Sequence, residues 1–247
     1  MYKINPIPSD KDKIKQPQCV LDGILPKVGS SMCMVGSSGS GKSILVYNLL
    51  ENKRFYGGKQ SFDQIFLFSP TALTDSIQKA LKVPESNCIT DIKQDGEKAI
   101  NMILESQKRI VEKRGTDKAP SVLIYFDDCI GCTKLMQTEA FTKTFIANRH
   151  FAITTILCSQ HFTRLPKVCR LQCSAFFLFA LSRSECEMIT DYMSPPMMTK
   201  KQMLFMLNDN LKEKYSFICI FKHEPWETRF RSCLGEIINL DHYRKIK

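Results

Sequence analysis

Met34-Val35-Gly36-Ser37-Ser38-Gly39-Ser40-Gly41-Lys42-Ser43 is the stretch on which the reading of this chain turns. Gly36 to Ser43 satisfies the pattern G-x-x-x-x-G-K-[ST] at every constrained position. It lies between an apolar run, Met32 to Val35, and a helical one, Ile44 to Leu50. A polyphosphate needs several donors converging on a curved anion. A backbone supplies them only where it turns tightly without bulky side chains, which Gly36, Gly39 and Gly41 permit. The amides of residues 38 to 43 are expected to point inward at the start of the following helix, where unpaired N–H groups and the helix dipole favour negative charge. Gly36, Ser37, Ser38, Gly39, Ser40, Gly41, Lys42 and Ser43 together form the expected cradle for ATP. Lys42 is placed to reach the β- and γ-phosphates, and the Ser43 hydroxyl to ligate Mg²⁺, a hard cation that prefers oxygen. A flexible Gly/Ser turn with a solvated lysine is the plain alternative, and the periodic segments on either side speak against it.

The second half of such a site is a buried strand ending in acids. Ser121-Val122-Leu123-Ile124-Tyr125-Phe126-Asp127-Asp128 has that form and looks like a Walker B motif. Asp127 is expected to hold the Mg²⁺ shell, usually through water, and Asp128 to polarise the attacking water as general base. A strand boundary with an Asp-Asp turn is the bland reading. Ile153 to Cys158 is a further apolar strand pattern ending in Ser159-Gln160. If the two strands are neighbours, Gln160 emerges beside the acids and can sense the γ-phosphate or the water. Arg149, just ahead of this strand, is the candidate for an arginine that serves a neighbouring subunit's nucleotide, with Arg170 as its competitor.

A chain of 247 residues can bury one sizeable core, and a single domain is expected. Its longest apolar run, Ala175 to Leu181, is far too short to span a bilayer. Met1 to Gln18 is polar, lysine-bearing and punctuated by proline, without the apolar stretch of a signal peptide. A soluble, intracellular protein without membrane contact is expected. The eleven cysteines are odd in number and sit mostly in apolar runs, as Cys33, Cys158 and Cys219 do, so reduced thiols are expected. Cys129-x-x-Cys132 with Cys169-x-x-x-Cys173 hints at zinc, but the first pair follows the acids directly and the second lacks the usual spacing. A formal charge of +10 suits a polyanionic partner, although the excess is spread from Lys3 to Lys247 rather than gathered into a stripe.

Apolar, β-favouring runs occur at Met32 to Val35, Gln64 to Phe68, Val122 to Phe126, Ile153 to Cys158, Ala175 to Phe179 and Phe217 to Phe221. They are continuous rather than alternating, which predicts strands buried on both faces. Helical patterns lie between them at Lys42 to Asn52, Thr74 to Leu81, Asp95 to Lys113, Thr138 to Asn148, Arg183 to Tyr192 and Thr199 to Leu207. The pattern predicts an α/β fold, a mostly parallel central sheet with helices on both faces and the ligand at the carboxyl ends of the strands. Residues 1–24 read as an N-terminal extension or arm and 25–247 as the nucleotide-binding domain. The segment 222–247, with Trp226, Arg229, Phe230 and Arg231, either contacts DNA or a neighbour or packs as a hairpin on the sheet.

Taken in order, the phosphate loop, Phe66-Leu67-Phe68-Ser69-Pro70-Thr71, the strand ending in Asp127-Asp128, Asn148-Arg149-His150 and Ile156-Leu157-Cys158-Ser159-Gln160 make the chain resemble a known family. This is the genome-packaging ATPases of large DNA viruses and virophages, of the FtsK-HerA superfamily and the poxvirus type. The likeness runs from about Met32 to Phe179. It implies a RecA-like P-loop NTPase fold with a strand inserted between the two Walker strands, assembly into a homo-oligomeric ring, and ATP-driven translocation of double-stranded DNA into a preformed capsid. It further implies a capsid or portal partner, and a place in the host cytoplasm, the viral factory or the virion. Carried over residue by residue, Lys42 and Ser43 bind phosphate and Mg²⁺, Asp127 and Asp128 are the Walker B pair, and Gln160 is the sensor. Asp128 departs from the wider superfamily, where glutamate is common, and so has a shorter reach to water. On this reading Arg164, Lys167 and Arg170, in a loop after Gln160, would move along the DNA backbone.

Three other functions share parts of this pattern. A nucleotide kinase has the same loop but needs an acceptor pocket and an arginine-bearing lid, whereas tandem acids backed by Gln160 suit water as acceptor. An ATP-gated interaction protein would tolerate loss of Asp128. A DNA helicase or conjugation pump lies within the same superfamily.

Overall fold

Strands that are apolar on both faces must be covered on both, and the computed structural model shows how this chain does so. The structure describes residues 14, 16–59, 61–74 and 79–245. Eight strands form one sheet: β1 (Ser31–Val35), β2 (Gln64–Phe68), β3 (Cys88–Ile89), β4 (Val122–Asp127), β5 (Ile153–Ser159), β6 (Ala175–Leu178), β7 (Ile218–Phe221) and β8 (Phe230–Ser232). Their order is β3-β2-β4-β5-β1-β6-β7-β8. The first six positions in that order are parallel, and β7 and β8 continue the sheet antiparallel. β5 thus lies between β1 and β4, the inserted strand implied by the resemblance. All six predicted strands form, each within one residue of its expected ends.

Successive strand side chains point to opposite faces, so one apolar run feeds two cores. In β4, Val122, Ile124 and Phe126 enter one core while Leu123 and Tyr125 enter the other; in β1, Cys33 and Val35 part from Met32 and Met34 in the same way. Helix α1 (Lys42–Glu51) covers the second core through Leu45, Val46, Leu49 and Leu50. Helices α2 (Gly96–Arg114), α3 (Glu139–Ile146), α4 (Arg183–Met193) and α5 (Lys200–Asn210) cover the first. In α2, Ile100, Ile103 and Leu104 face inward while Glu105–Arg109 and Lys108–Glu112 pair on the solvent side.

A chain of rings fixes the strand that carries the acids. Phe68 and Phe126 lie 4.8 Å apart, Phe126 and Phe141 5.0 Å, and Phe141 and Phe145 5.3 Å, centroid to centroid. Each tilted pair adds about 0.5–1.5 kcal/mol beyond burial. Buried Gln107 donates to the carbonyls of Pro120 and Phe151 at 2.7 and 3.0 Å, so α2 also fixes the entries to β4 and β5.

Several expectations change. Ile14, Cys19 and Val20, read as part of an extension, are buried in the second core, so packing begins well before residue 25; residues 1–13 lie outside those described. Of the helix expected at Thr74 to Leu81, residues 75–78 lie outside the described residues. The segment after Gln160 is not a loop as far as Arg170, because Lys167–Gln172 is helical. For the segment 222–247 the packing alternative is the one the structure shows, with Trp226, Arg229, Phe230 and Arg231 engaged at the sheet edge. Arg229 sits 3.7 Å over the Trp226 ring, Phe230 is buried in β8, and Arg231 lies 5.0 Å from the Phe221 ring centre. Among the described residues no helix is long and apolar enough to cross a membrane.

Candidate nucleotide site

The loop between β1 and α1 is anchored on both sides. Gly36 N–H donates to the Ser159 carbonyl at 3.1 Å, and Ser37 N–H to that of Ala180 at 2.9 Å. Gly36 is required by contact: a Cβ there would come within 2.6 Å of Phe179 Cβ and 2.8 Å of Ser40 Oγ. Gly41 is required by conformation, with φ +103° immediately before the helix. Among the described residues the amides of Ser38, Gly39, Gly41, Lys42 and Ser43 find no backbone acceptor. The buried Ser40 hydroxyl has no partner among the described residues either. Such a row of unmet donors fits a polyphosphate.

Lys42 folds back over this loop. Its ammonium donates to the carbonyls of Gly36 and Ser37, both at 2.8 Å, and the residue is only 9% exposed. Burial pushes its pKa below the ordinary value, and the carboxylates of Asp127 and Asp128 oppose that shift. Beneath it, Cys158 and Tyr125 are buried thiol and phenol, both held protonated by burial.

The acids come to the same place although β5 separates their strand from β1. Ser43 Oγ donates to Asp127 Oδ2 at 3.2 Å, which brings together two oxygens of the kind Mg²⁺ takes. Among the described residues no group of three His, Cys, Asp or Glu forms a metal cage, and a cation held largely by substrate phosphates and water needs none. Asp128 adopts the left-handed conformation, φ +50° and ψ +30°, which turns the chain sharply off the strand. Gln160 Nε2 donates to Asp128 Oδ1 at 3.1 Å. Lys42, Ser43, Asp127, Asp128 and Gln160 therefore form one constellation.

Two other candidates lie elsewhere. Arg149 is half-buried at the opposite end of the strands, its backbone against Gly29 ahead of β1, and it cannot reach this chain's own loop. Arg170 stacks 5.1 Å from the Phe162 ring centre and 5.5 Å from that of Tyr192, so its guanidinium is committed to packing. Arg164 and Lys167 remain exposed. Cys129 donates to the Phe68 carbonyl at 3.0 Å, while Cys173 lies beside Cys33.

Sequence reading missed Glu185. Its buried carboxylate accepts from the amides of Phe162 at 2.7 Å and Thr163 at 3.2 Å and from the Thr163 hydroxyl at 2.9 Å, and His161 Nδ1 lies 3.4 Å away. It therefore holds the segment that follows Gln160. Ser182-x-x-Glu185 reads as a helix capping box, and that pattern conceals the carboxylate's long-range role.

A mostly parallel sheet, a glycine loop leading into a helix, and an acid at the end of the strand one place beyond the neighbour define a P-loop NTPase with an inserted strand. The sequence matches the family described as Poxvirus A32 protein over residues 24–241, and the chain belongs to that family. The family match runs well past Phe179, where the motif likeness stopped. No curated protein matches. Among solved structures, the genome packaging NTPase B204 from Sulfolobus turreted icosahedral virus 2 in complex with sulfate is similar, with TM-score 0.58 and 18% identity, over 87% of this chain and 100% of that one. The same protein in complex with ATP-γS gives TM-score 0.55 and 16% identity, over 85% and 98%. The cytoplasmic domain of the Thermomonospora curvata type VII secretion ATPase EccC gives TM-score 0.55 and 13% identity, over 79% of this chain and 24% of that one.

Proposed function

We propose that the chain is an ATPase that drives double-stranded DNA into a preformed viral capsid, working as a homo-oligomeric ring. The observation that carries this reading is the line Ser43, Asp127, Asp128, Gln160 at the strand ends, 3.2 Å across its first pair and 3.1 Å across its last. It sets a carboxylate and an amide where a water could be oriented. The packaging role of the similar B204 protein supports the reading, as does membership of the poxvirus family.

In this scheme the loop amides and Lys42 bind the phosphates, and Lys42 exchanges its two carbonyl partners for phosphate oxygens. Ser43 and Asp127 would hold Mg²⁺, which would neutralise charge on the β- and γ-oxygens. Asp128 takes the proton of the attacking water, and Gln160 orients that water and passes the state of the site to the segment held by Glu185. Exposed Arg164 and Lys167 beyond that segment would grip DNA phosphates, which suits a motor because phosphate contacts carry no sequence information. Arg149 could act only on a nucleotide bound by another copy in the ring. A capsid or portal would be the docking partner, and the host cytoplasm or viral factory the place of work.

The test is steady-state ATP hydrolysis with and without duplex DNA across a salt series. Turnover should rise with duplex of any sequence and need no small acceptor. The stimulation should fall steeply between about 50 and 200 mM salt as counterion release weakens. Turnover that requires a nucleoside or nucleotide acceptor would instead make the chain a kinase, and ATP binding without turnover a nucleotide-gated binder.

A further inference from the structure

Beside the phosphate loop stands a wall of aromatic side chains that phosphate binding does not use. A cleft of about 460 Å³ runs from Lys42 and Ser43 along α1 past Ile44 and Asn48. Phe179, Tyr215 and Phe217 line it as well. Phe179 and Phe217 are packed 5.1 Å apart and belong to the body of the fold. Tyr215 does not: it is 58% exposed and adopts φ +68°, a conformation that bulky L-residues rarely take. Its turn is closed by Ser216, whose amide and hydroxyl both donate to the Glu213 carbonyl, at 3.1 and 2.7 Å. The turn brings the ring over the loop, with Tyr215 Cδ1 3.4 Å from where a Cβ on Gly41 would stand.

An exposed ring in a disfavoured backbone conformation gains little from packing beyond the Lys214 ammonium 4.9 Å from its centre, and here it borders the cleft that leads away from the phosphate site. We propose that Tyr215 is the stacking platform for the nucleotide base and makes the site prefer purine over pyrimidine triphosphates. The inference rests on the nucleotide reading of the phosphate loop and adds the base to it. Ile44, 60% exposed, supplies a second apolar surface in the same cleft. Asn48 Nδ2 is engaged with the Ile44 carbonyl at 2.8 Å, which leaves Oδ1 to accept from an exocyclic amino group. Stacking is the main term, and a purine offers more ring surface to it than a pyrimidine.

The test is calorimetric titration of ATP, CTP and inorganic tripolyphosphate, each with Mg²⁺, into the full chain and its Tyr215→Ala and Tyr215→Phe variants. The full chain should bind ATP more tightly than CTP or tripolyphosphate. Tyr215→Ala should weaken ATP about 10-fold, within the usual range for loss of one base–aromatic stack, and abolish the preference over CTP. It should leave tripolyphosphate binding unchanged, and Tyr215→Phe, which keeps the ring, should retain the ATP affinity. ATP binding by Tyr215→Ala equal to that of the full chain would overturn the inference. So would an equal loss for tripolyphosphate, since the ring would then merely support the loop. A full chain that binds neither ATP nor tripolyphosphate would overturn the nucleotide reading itself.

Discussion

Gln160 donates to Asp128 across 3.1 Å although the two are 32 residues apart, and this bond joins the end of β5 to the turn that follows β4. β5 is buried along its whole length, so Gln160 leaves the sheet at a fixed point, and Asp128 is held to meet it by its left-handed backbone. On the proposed reading Asp128 and Gln160 share one water, and a base and an amide so placed act as a unit. Asp128→Asn is expected to lower ATP turnover by about 10²–10⁴-fold while ATP still binds. Gln160→Ala should cost less, and the double variant should be no slower than Asp128→Asn alone, because the two losses do not add. Steady-state rates and nucleotide affinities of the three variants check this.

Lys42 separates function from stability. Its ammonium is buried, which lowers its pKa, so the folded chain carries a charge at some cost to itself. Lys42→Met should lose phosphate affinity by more than tenfold, yet unfold within about 1 kcal/mol of the parent, because the methionine removes a desolvated charge along with two hydrogen bonds to loop carbonyls. A denaturant melt beside an ATP titration reads both. A variant that binds ATP as the parent does would remove Lys42 from the site.

The strands and the Lys42, Ser43, Asp127, Asp128 and Gln160 constellation were legible in the sequence because their signals are local. A continuous apolar run is a buried strand wherever it lies, and acids or an amide at its end emerge on one edge once the strands are parallel. Glu185 was not legible, because its partners at Phe162 and Thr163 lie more than 20 residues away and its local pattern spells a helix cap. Arg170 misled for the opposite reason. A basic residue after a sensor strand looks available, and only the fold shows Phe162 and Tyr192 beneath it. That Ile14, Cys19 and Val20 dock on the second core was not legible, because Ile14 stands between two lysines and Cys19-Val20-Leu21 is a run too short, between Pro17-Gln18 and Asp22, to show a periodicity.

Glu185 should act on turnover through position. Glu185→Ala leaves the amides of Phe162 and Thr163 without their acceptor and is expected to cost about 1.5–3 kcal/mol of stability. Glu185→Gln keeps one carbonyl oxygen for the shorter of those bonds and should stay folded. Its kcat should fall with little change in KM for ATP, since it touches neither phosphate nor water. A parallel rise in KM would show that Glu185 shapes the binding loop instead.

Buried acidic groups set the alkaline limit of the fold. Burial pushes the Cys169 thiol up to about 12, and raises Cys33, Cys129, Cys158 and Cys219 as well. In the unfolded chain a cysteine ionises near about 8.5. A group whose folded pKa lies above its unfolded one contributes stability that is complete below the unfolded value and is lost as pH rises toward the folded value. Each such thiol therefore removes up to about 1.4 kcal/mol per pH unit above roughly pH 8.5. The urea midpoint should be level between about pH 6.5 and 8 and fall steeply by pH 9.5, and Cys169→Ser should make that fall shallower. Thiol labelling should follow the same order, with exposed Cys233 modified first and Cys33, Cys158 and Cys219 only on unfolding. A midpoint that stays level to pH 9.5 would mean that these thiols ionise within the folded chain, and that the two cores are more open to water than their packing implies.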